Sequence, residues 1–220
     1  MSMRERLRAL PTFPAGFADG RVQLDPATAP ATPVDLFSRW LDEAVEVGAP
    51  GAQAAVLSTA DGDGVVTART LTVKDVVGDD WWFASSSAGP KGRALEQNPH
   101  AALTFFWPAL GRQVRVTGCV RRAPAQAGAR DFAARPPQSR AGSLAGPQSE
   151  PLDSTETLQR AYDDALARAE ADPSVLDESW SAYALTADEV EFWESVPGRG
   201  ATRWVYRRRA DGWVTGLLWP

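Results

Sequence analysis

The chain has 220 residues, 44% of them hydrophobic and 23% charged, with a net charge of −5 at neutral pH. That is enough for one domain with a sizeable core, and the acidic balance argues against the clustered positive surface that nucleic-acid binding needs. A single cysteine, Cys119, excludes an internal disulfide; with a single histidine, His100, it also argues against a His/Cys zinc site and, unless His100 serves it, a Ser-His-Asp triad.

The opening "MSMRERLRAL" lacks the apolar core of a secretory signal, and no apolar run is long enough to span a bilayer. The expectation is a cytoplasmic protein with no membrane partner, no metal site and any difficult chemistry carried by a cofactor. Residues 1–31, rich in Pro, Ala and Gly without a clear period, read as a mobile or draped arm, and residues 32–220 as one domain.

"TPVDLFSRWLDEAVEVG" carries helix signals: Thr32 to cap, Pro33 for the first turn, Gly48 to terminate. Leu36, Trp40, Leu41, Ala44 and Val45 form its expected buried face. From residue 53 the period changes to that of strands. "QAAVLST", the turn "DGDG" and "VVTARTLTVKDV" read as a hairpin, followed by "WWFASSS", "AALTFFW" and "RQVRVTGCVRRA". His100 reads as a strand-entry residue. In the last of these strands Val114, Val116 and Gly118 alternate with Arg115, Thr117 and Cys119. "RPPQSRAGSLAGPQS", 135–149, has no period and reads as a structureless loop. The helix expected at "TETLQRAYDDALARAE" places Leu158, Tyr162, Ala165 and Ala169 on one stripe against the barrel. "SAYALTADEVEFWE", "TRWVYRRR" and "WVTGLLWP" complete about seven strands, which suggest a mainly β (α+β) fold: an antiparallel barrel with flanking helices.

Three basic placements look chemical. Arg69 and Lys74 flank a strand in which Thr70 and Thr72 face away from Leu71 and Val73. Lys91 follows a small-residue loop that opens onto a helix, where free N–H groups favour anions. The loop adds Arg135, Ser139, Gln148 and Ser149. Each sets a cation among hydroxyl or amide groups, and together they read as a phosphate site. "RRR" at 207–209 reads as a solvated patch.

"ARTLTVK", "SSSAGPKGRALEQNPHAALTFFW", "GRQVRVTG", "DFAARPPQSRAGSLAGPQS", "EFW" and the final "LLWP" together resemble the pyridoxamine 5′-phosphate oxidase family, from about residue 33 to the C-terminus. The resemblance implies a homodimeric split β-barrel with FMN at the dimer interface. It makes Arg69 and Lys91 ligands of the FMN phosphate, and runs Thr70, Leu71, Thr72, Val73 and Lys74 along the flavin beside Ala84 and Ser85. It sets Gln113 against the flavin ring, and brings Gln148, Ser149, Trp193 and Arg203 to the cofactor, Gln148 and Ser149 from the partner subunit. Substrate would meet Lys74, Arg135, Ser139 and Arg199, the last as the catalytic contact. Pro90 replaces a basic residue often found before the lysine.

Two positions depart from the vitamin-B6 enzymes of that family. Ala201 in "RGATR" stands where they have histidine, and Asp131 in "DFAARP" where they have tyrosine. A carboxylate at Asp131 would repel a dianionic phosphate. The expectation is therefore an FMN-dependent oxidase of a small acidic amine or partly reduced aromatic ring, using oxygen, in secondary-metabolite biosynthesis. A pyridoxine/pyridoxamine 5′-phosphate oxidase and a non-catalytic flavin-binding protein are the alternatives.

Overall fold

The computed structural model describes residues 1–18 and 21–220; Asp19 and Gly20, within the expected arm, lie outside the described residues. Eight antiparallel strands form one sheet: β1 (Ala54–Ala60), β2 (Val66–Val77), β3 (Asp80–Ser86), β4 (His100–Trp107), β5 (Arg112–Arg122), β6 (Trp180–Val196), β7 (Gly200–Arg209) and β8 (Gly212–Leu218). Their order is β3-β2-β1-β4-β5-β6-β7-β8, and β3 also pairs with β6, so the first six close a barrel. His100 opens β4, as expected for a strand-entry residue.

The long β6 is the joint of the fold. Its first half pairs with β3, its second half with β7, and β5 runs along most of it. The register of β5 on β6 shifts between Thr117 and Gly118. A side chain at Gly118 would collide with the carbonyl oxygen of Thr186, so the bulge needs glycine there. Alternation then does the rest: Val114, Val116 and Val120 point into the core with Leu57, Leu103, Phe105, Leu185 and Phe192, while Arg115, Thr117 and Cys119 face outward.

Helix α1 (Met3–Ala9) lies in the arm, begun by a reciprocal capping box between Ser2 and Glu5. Helix α2 (Pro33–Glu46) starts at Thr32, whose hydroxyl accepts from the Asp35 N–H. It packs Phe37 against Trp81 and Phe105, with ring centroids 4.5 and 4.8 Å apart, and Trp40 edge-on to Phe192 at 5.1 Å. Its buried face is Leu36, Phe37, Trp40 and Ala44; Val45, expected inside, is exposed because the stripe is centred on Phe37 rather than Leu41.

The stretch 135–149 is not a structureless loop. Residues Pro137–Leu144 form α5, with proline at its first position where no N–H is needed. It follows α3 (Pro90–Gln97) and α4 (Ala125–Ala133) and packs on α6 (Thr155–Ala171). Ala165 and Ala169 of α6 are buried as expected, whereas Leu158 is largely exposed, since the helix rests on α5 rather than laying its whole stripe on the barrel.

One buried ionic cluster ties the arm to the barrel. Arg112, fully buried, donates to Glu194 at 3.0 Å, to Glu43 and to the Val22 carbonyl, and stacks on Trp40 at 4.4 Å. Glu194 also accepts from the Leu24 N–H at 2.8 Å and pairs with Arg21 at 3.4 Å. Every oxygen of that buried carboxylate is thereby engaged, the condition under which an interior charge is tolerated.

Candidate functional site

The expected site residues gather in three clusters. The first is cationic. Arg69 projects from β2 and donates to the Leu57 carbonyl at 3.2 Å, Thr59 Oγ1 at 2.8 Å and Thr67 Oγ1 at 2.5 Å, all neutral acceptors. Lys91 sits in the first turn of α3, whose N-cap Gly89 supplies no side-chain cap. Its Nζ donates to Gln148 Oε1 at 2.7 Å. A Cβ at Gly92 would clash with the Ser87 backbone, so glycine lets the loop close tightly under the helix.

Burial lowers the Arg69 and Lys91 pKa values, and the charge of Arg69 lowers that of Lys91 further. Among the described residues neither cation has a carboxylate within ion-pair distance. Two half-buried like charges beside a helix N-terminus repel each other until an anion joins them. A phosphate has the charge and the acceptor oxygens to do so. The resemblance assigns Gln148 to the partner subunit, and here, in the turn after α5, it also meets Lys91 of its own chain. Its neighbour Ser149 is exposed and holds a left-handed φ of 70°.

The outer face of β2 leads from this cradle to the second cluster. Thr70, Thr72 and Lys74 are exposed there, and half-buried Ala84 of β3 shares the face. Leu71 and Val73 turn inward and Ser85 is buried, leaving mainly their backbones for a ligand. Lys74 Nζ pairs with Asp131 Oδ1 at 2.6 Å, and Asp131 Oδ2 accepts from Trp180 Nε1 at 2.8 Å. Arg135 lies 4.0 Å over the Trp180 ring and donates to Ser143 Oγ at 2.8 Å. Burial lowers the Arg135 pKa, opposed by the charges of Asp131 and Asp177. Ser139 is exposed on α5, and its hydroxyl makes no hydrogen bond among the described residues.

The third cluster lies across the sheet. Register places Phe106, Gln113, Trp193 and Arg203 in one row over β4, β5, β6 and β7. Arg203 grips Glu191 at 2.9 and 3.0 Å and donates to the Trp219 carbonyl at 2.8 Å. Arg115 shares Glu191. Arg199, which donates to Thr202 Oγ1 at 2.7 Å, joins Ala201, Arg203 and Leu217–Pro220 in a groove of about 280 Å³. Arg199, at the β6–β7 turn, lies at the opposite end of β6 from Trp180, on which Arg135 stacks. "RRR" is less solvated than expected, since Arg207 pairs with Glu189 and Arg208 with Asp188.

Several neighbours escaped the sequence reading. Trp180 lies outside the quoted motifs, and Ser143 and Glu191 lie inside them without having been assigned a role; all three hold the expected residues in place. Phe13 of the arm stands 6.1 Å from Trp193 and 6.4 Å from Phe106.

Residues 41–169 match the family model described as pyridoxamine 5′-phosphate oxidase, and residues 180–220 match the pyridoxine 5′-phosphate oxidase C-terminal dimerisation region. The chain belongs to the pyridoxamine 5′-phosphate oxidase family. It is thus an oxidoreductase built on that family's split barrel. The pyridoxine/pyridoxamine 5′-phosphate oxidase of Leptospira biflexa is 34% identical over 91% of this chain and 94% of its own length. That of Anaeromyxobacter dehalogenans is 39% identical over 90% and 99%. Among solved structures, PhzG from Burkholderia lata in complex with tetrahydrophenazine-1-carboxylic acid aligns with a TM-score of 0.85 at 27% identity, covering 93% of this chain and all of that one. No described helix is long and apolar enough to cross a membrane.

Proposed function

We propose that this oxidoreductase is an FMN-dependent oxidase of a small acidic amine or partly reduced aromatic ring, with oxygen as electron acceptor, working as a homodimer in a biosynthetic setting. The observation that carries the cofactor reading is the pair Arg69 and Lys91, two cations with neutral hydrogen-bond partners beside a helix N-terminus. That set fits a flavin phosphate. Bound flavin would accept a hydride from the substrate and return the electrons to oxygen.

The chain's own part is positioning. Gln113, Trp193 and Arg203, aligned in one row, suit the edge and face of a flat ring. Arg199 offers a guanidinium at the mouth of a groove whose small Ala201 and apolar Leu217 and Trp219 leave room for a ring. Lys74 and Arg135 would take the substrate's acidic group. Because these clusters lie apart in one chain, the reading needs a second copy to bring Arg199 opposite Lys74 and Arg135, and the match of 180–220 to a dimerisation region supports it. The ligand named for PhzG, a partly reduced ring acid, supports the substrate class.

A second reading, oxidation of pyridoxine or pyridoxamine 5′-phosphate, is favoured by the names of the curated relatives. The test is an anaerobic visible spectrum of FMN-loaded protein, before and after each candidate substrate. Bleaching by a partly reduced aromatic carboxylate but not by pyridoxine 5′-phosphate supports the first reading. The reverse pattern selects the second, and an unbleached spectrum with both rejects the oxidase proposal for these substrates.

A further inference from the structure

The pair Lys74–Asp131 changes what the acid-binding cluster can hold. The ammonium of Lys74 lies 2.6 Å from Asp131 Oδ1, with side-chain exposures of 34% and 20%. The other Asp131 oxygen is held by Trp180 Nε1 at 2.8 Å, so the carboxylate is fixed at both ends. It belongs to α4, whereas Lys74 is on β2 and Trp180 opens β6, so three elements set the geometry. Arg135 is fixed as well, 4.0 Å over the Trp180 ring with Ser143 on one nitrogen. The charge of Asp177 also reaches Arg135.

Two cations therefore share their field with two carboxylates, while most of their N–H donors remain available. A phosphate dianion needs excess positive charge to offset its desolvation, and at Lys74 that excess is already spent on Asp131. A carboxylate carries a single negative charge and needs only donors in a planar fork, which Arg135 presents.

We infer that this cluster selects a carboxylate monoanion over a phosphate dianion, and that Asp131 is the specificity-determining residue. Its relevance to catalysis rests on the oxidase reading above; the charge selection itself does not. The substrate class is thereby narrowed to ring compounds bearing a carboxylate.

The test compares benzoate with phenyl phosphate, which share a ring and differ in the acid group, by titration calorimetry of the FMN-loaded wild-type protein at about pH 8, where the phosphate is dianionic. Wild type should bind benzoate more tightly. In Asp131→Asn, phenyl phosphate should gain about tenfold or more relative to benzoate, the scale expected for removing one nearby charge in a partly solvated site. Tighter binding of phenyl phosphate by wild type overturns the inference whether or not the variant folds. An unchanged ratio in a folded variant overturns the assignment to Asp131. Neither outcome bears on flavin bleaching, so failure of the charge inference and failure of the oxidase reading remain separable.

Discussion

Lys91 is held in an environment that disfavours its own charge, through burial first and the nearby Arg69 second. In the ligand-free protein its pKa therefore lies below the ordinary lysine value of 10.5. An anion bound by the ammonium favours the protonated form, so affinity is full below that lowered pKa and falls as pH rises through it. Phosphate-dependent FMN affinity should accordingly decline at a lower pH than an unperturbed lysine would dictate. The Lys91→Met variant should lack this limb when FMN affinity is followed by fluorescence quenching across the alkaline range; a limb of unchanged position would exclude Lys91 as its source. Arg203 offers a second residue-scale prediction. Arg115 also contacts Glu191, so Arg203→Ala leaves that buried carboxylate a cationic partner and should preserve the fold. Flavin affinity should nonetheless fall by about tenfold or more, the usual worth of a charge-assisted hydrogen bond. Tight flavin binding in that variant would show that Arg203 serves structure alone.

At the scale of elements, the bulge and the ionic cluster make opposite demands on local sequence. Gly118→Ala would push a methyl group into the Thr186 carbonyl where β5 changes register on β6. It should cost about 1–3 kcal/mol, as overpacking does, read as a lower urea midpoint with unchanged slope. Glu194→Gln leaves Arg112 and Arg21 buried without their shared carboxylate, and should cost about 3–5 kcal/mol while loosening the chain around Leu24. A variant as stable as wild type would show that the cluster does not hold the arm. These two features also mark the limits of reading the sequence. The alternation of Val114, Val116 and Val120 is local, so β5 was legible, as were α2 with its Thr32 cap and the turn that presents Lys91. The partners of Arg112 lie 69 to 90 residues away and leave no local trace. Helix α5 was hidden because its proline, glycine and serine residues look like loop composition, while its stability comes from packing on α6 and from burial of Arg140 and Ala141. Asp131 was legible as a misplaced charge, but its salt bridge to Lys74 and its hydrogen bond from Trp180 are tertiary facts.

For the whole molecule, the outer face of the barrel sheet carries much of the candidate site. Phe106 is half exposed, Val56 is open to solvent on the same face, and Trp219 at the chain end is 92% exposed. Such a face, continuous with a segment matching a dimerisation region, is what a second copy would cover. Light scattering should give a dimer, and a monomer that still binds flavin tightly would remove the shared site. In the proposed oxidase the Arg69–Lys91 cradle would grip the cofactor by its phosphate. Titration of the ligand-free protein with FMN and with riboflavin, which differ by that group alone, isolates the phosphate's contribution. FMN should bind about a hundredfold or more tightly than riboflavin, the worth of a phosphate held by two cations, and Lys91→Met should narrow the gap. Equal affinities for the two flavins would contradict that role of the cradle.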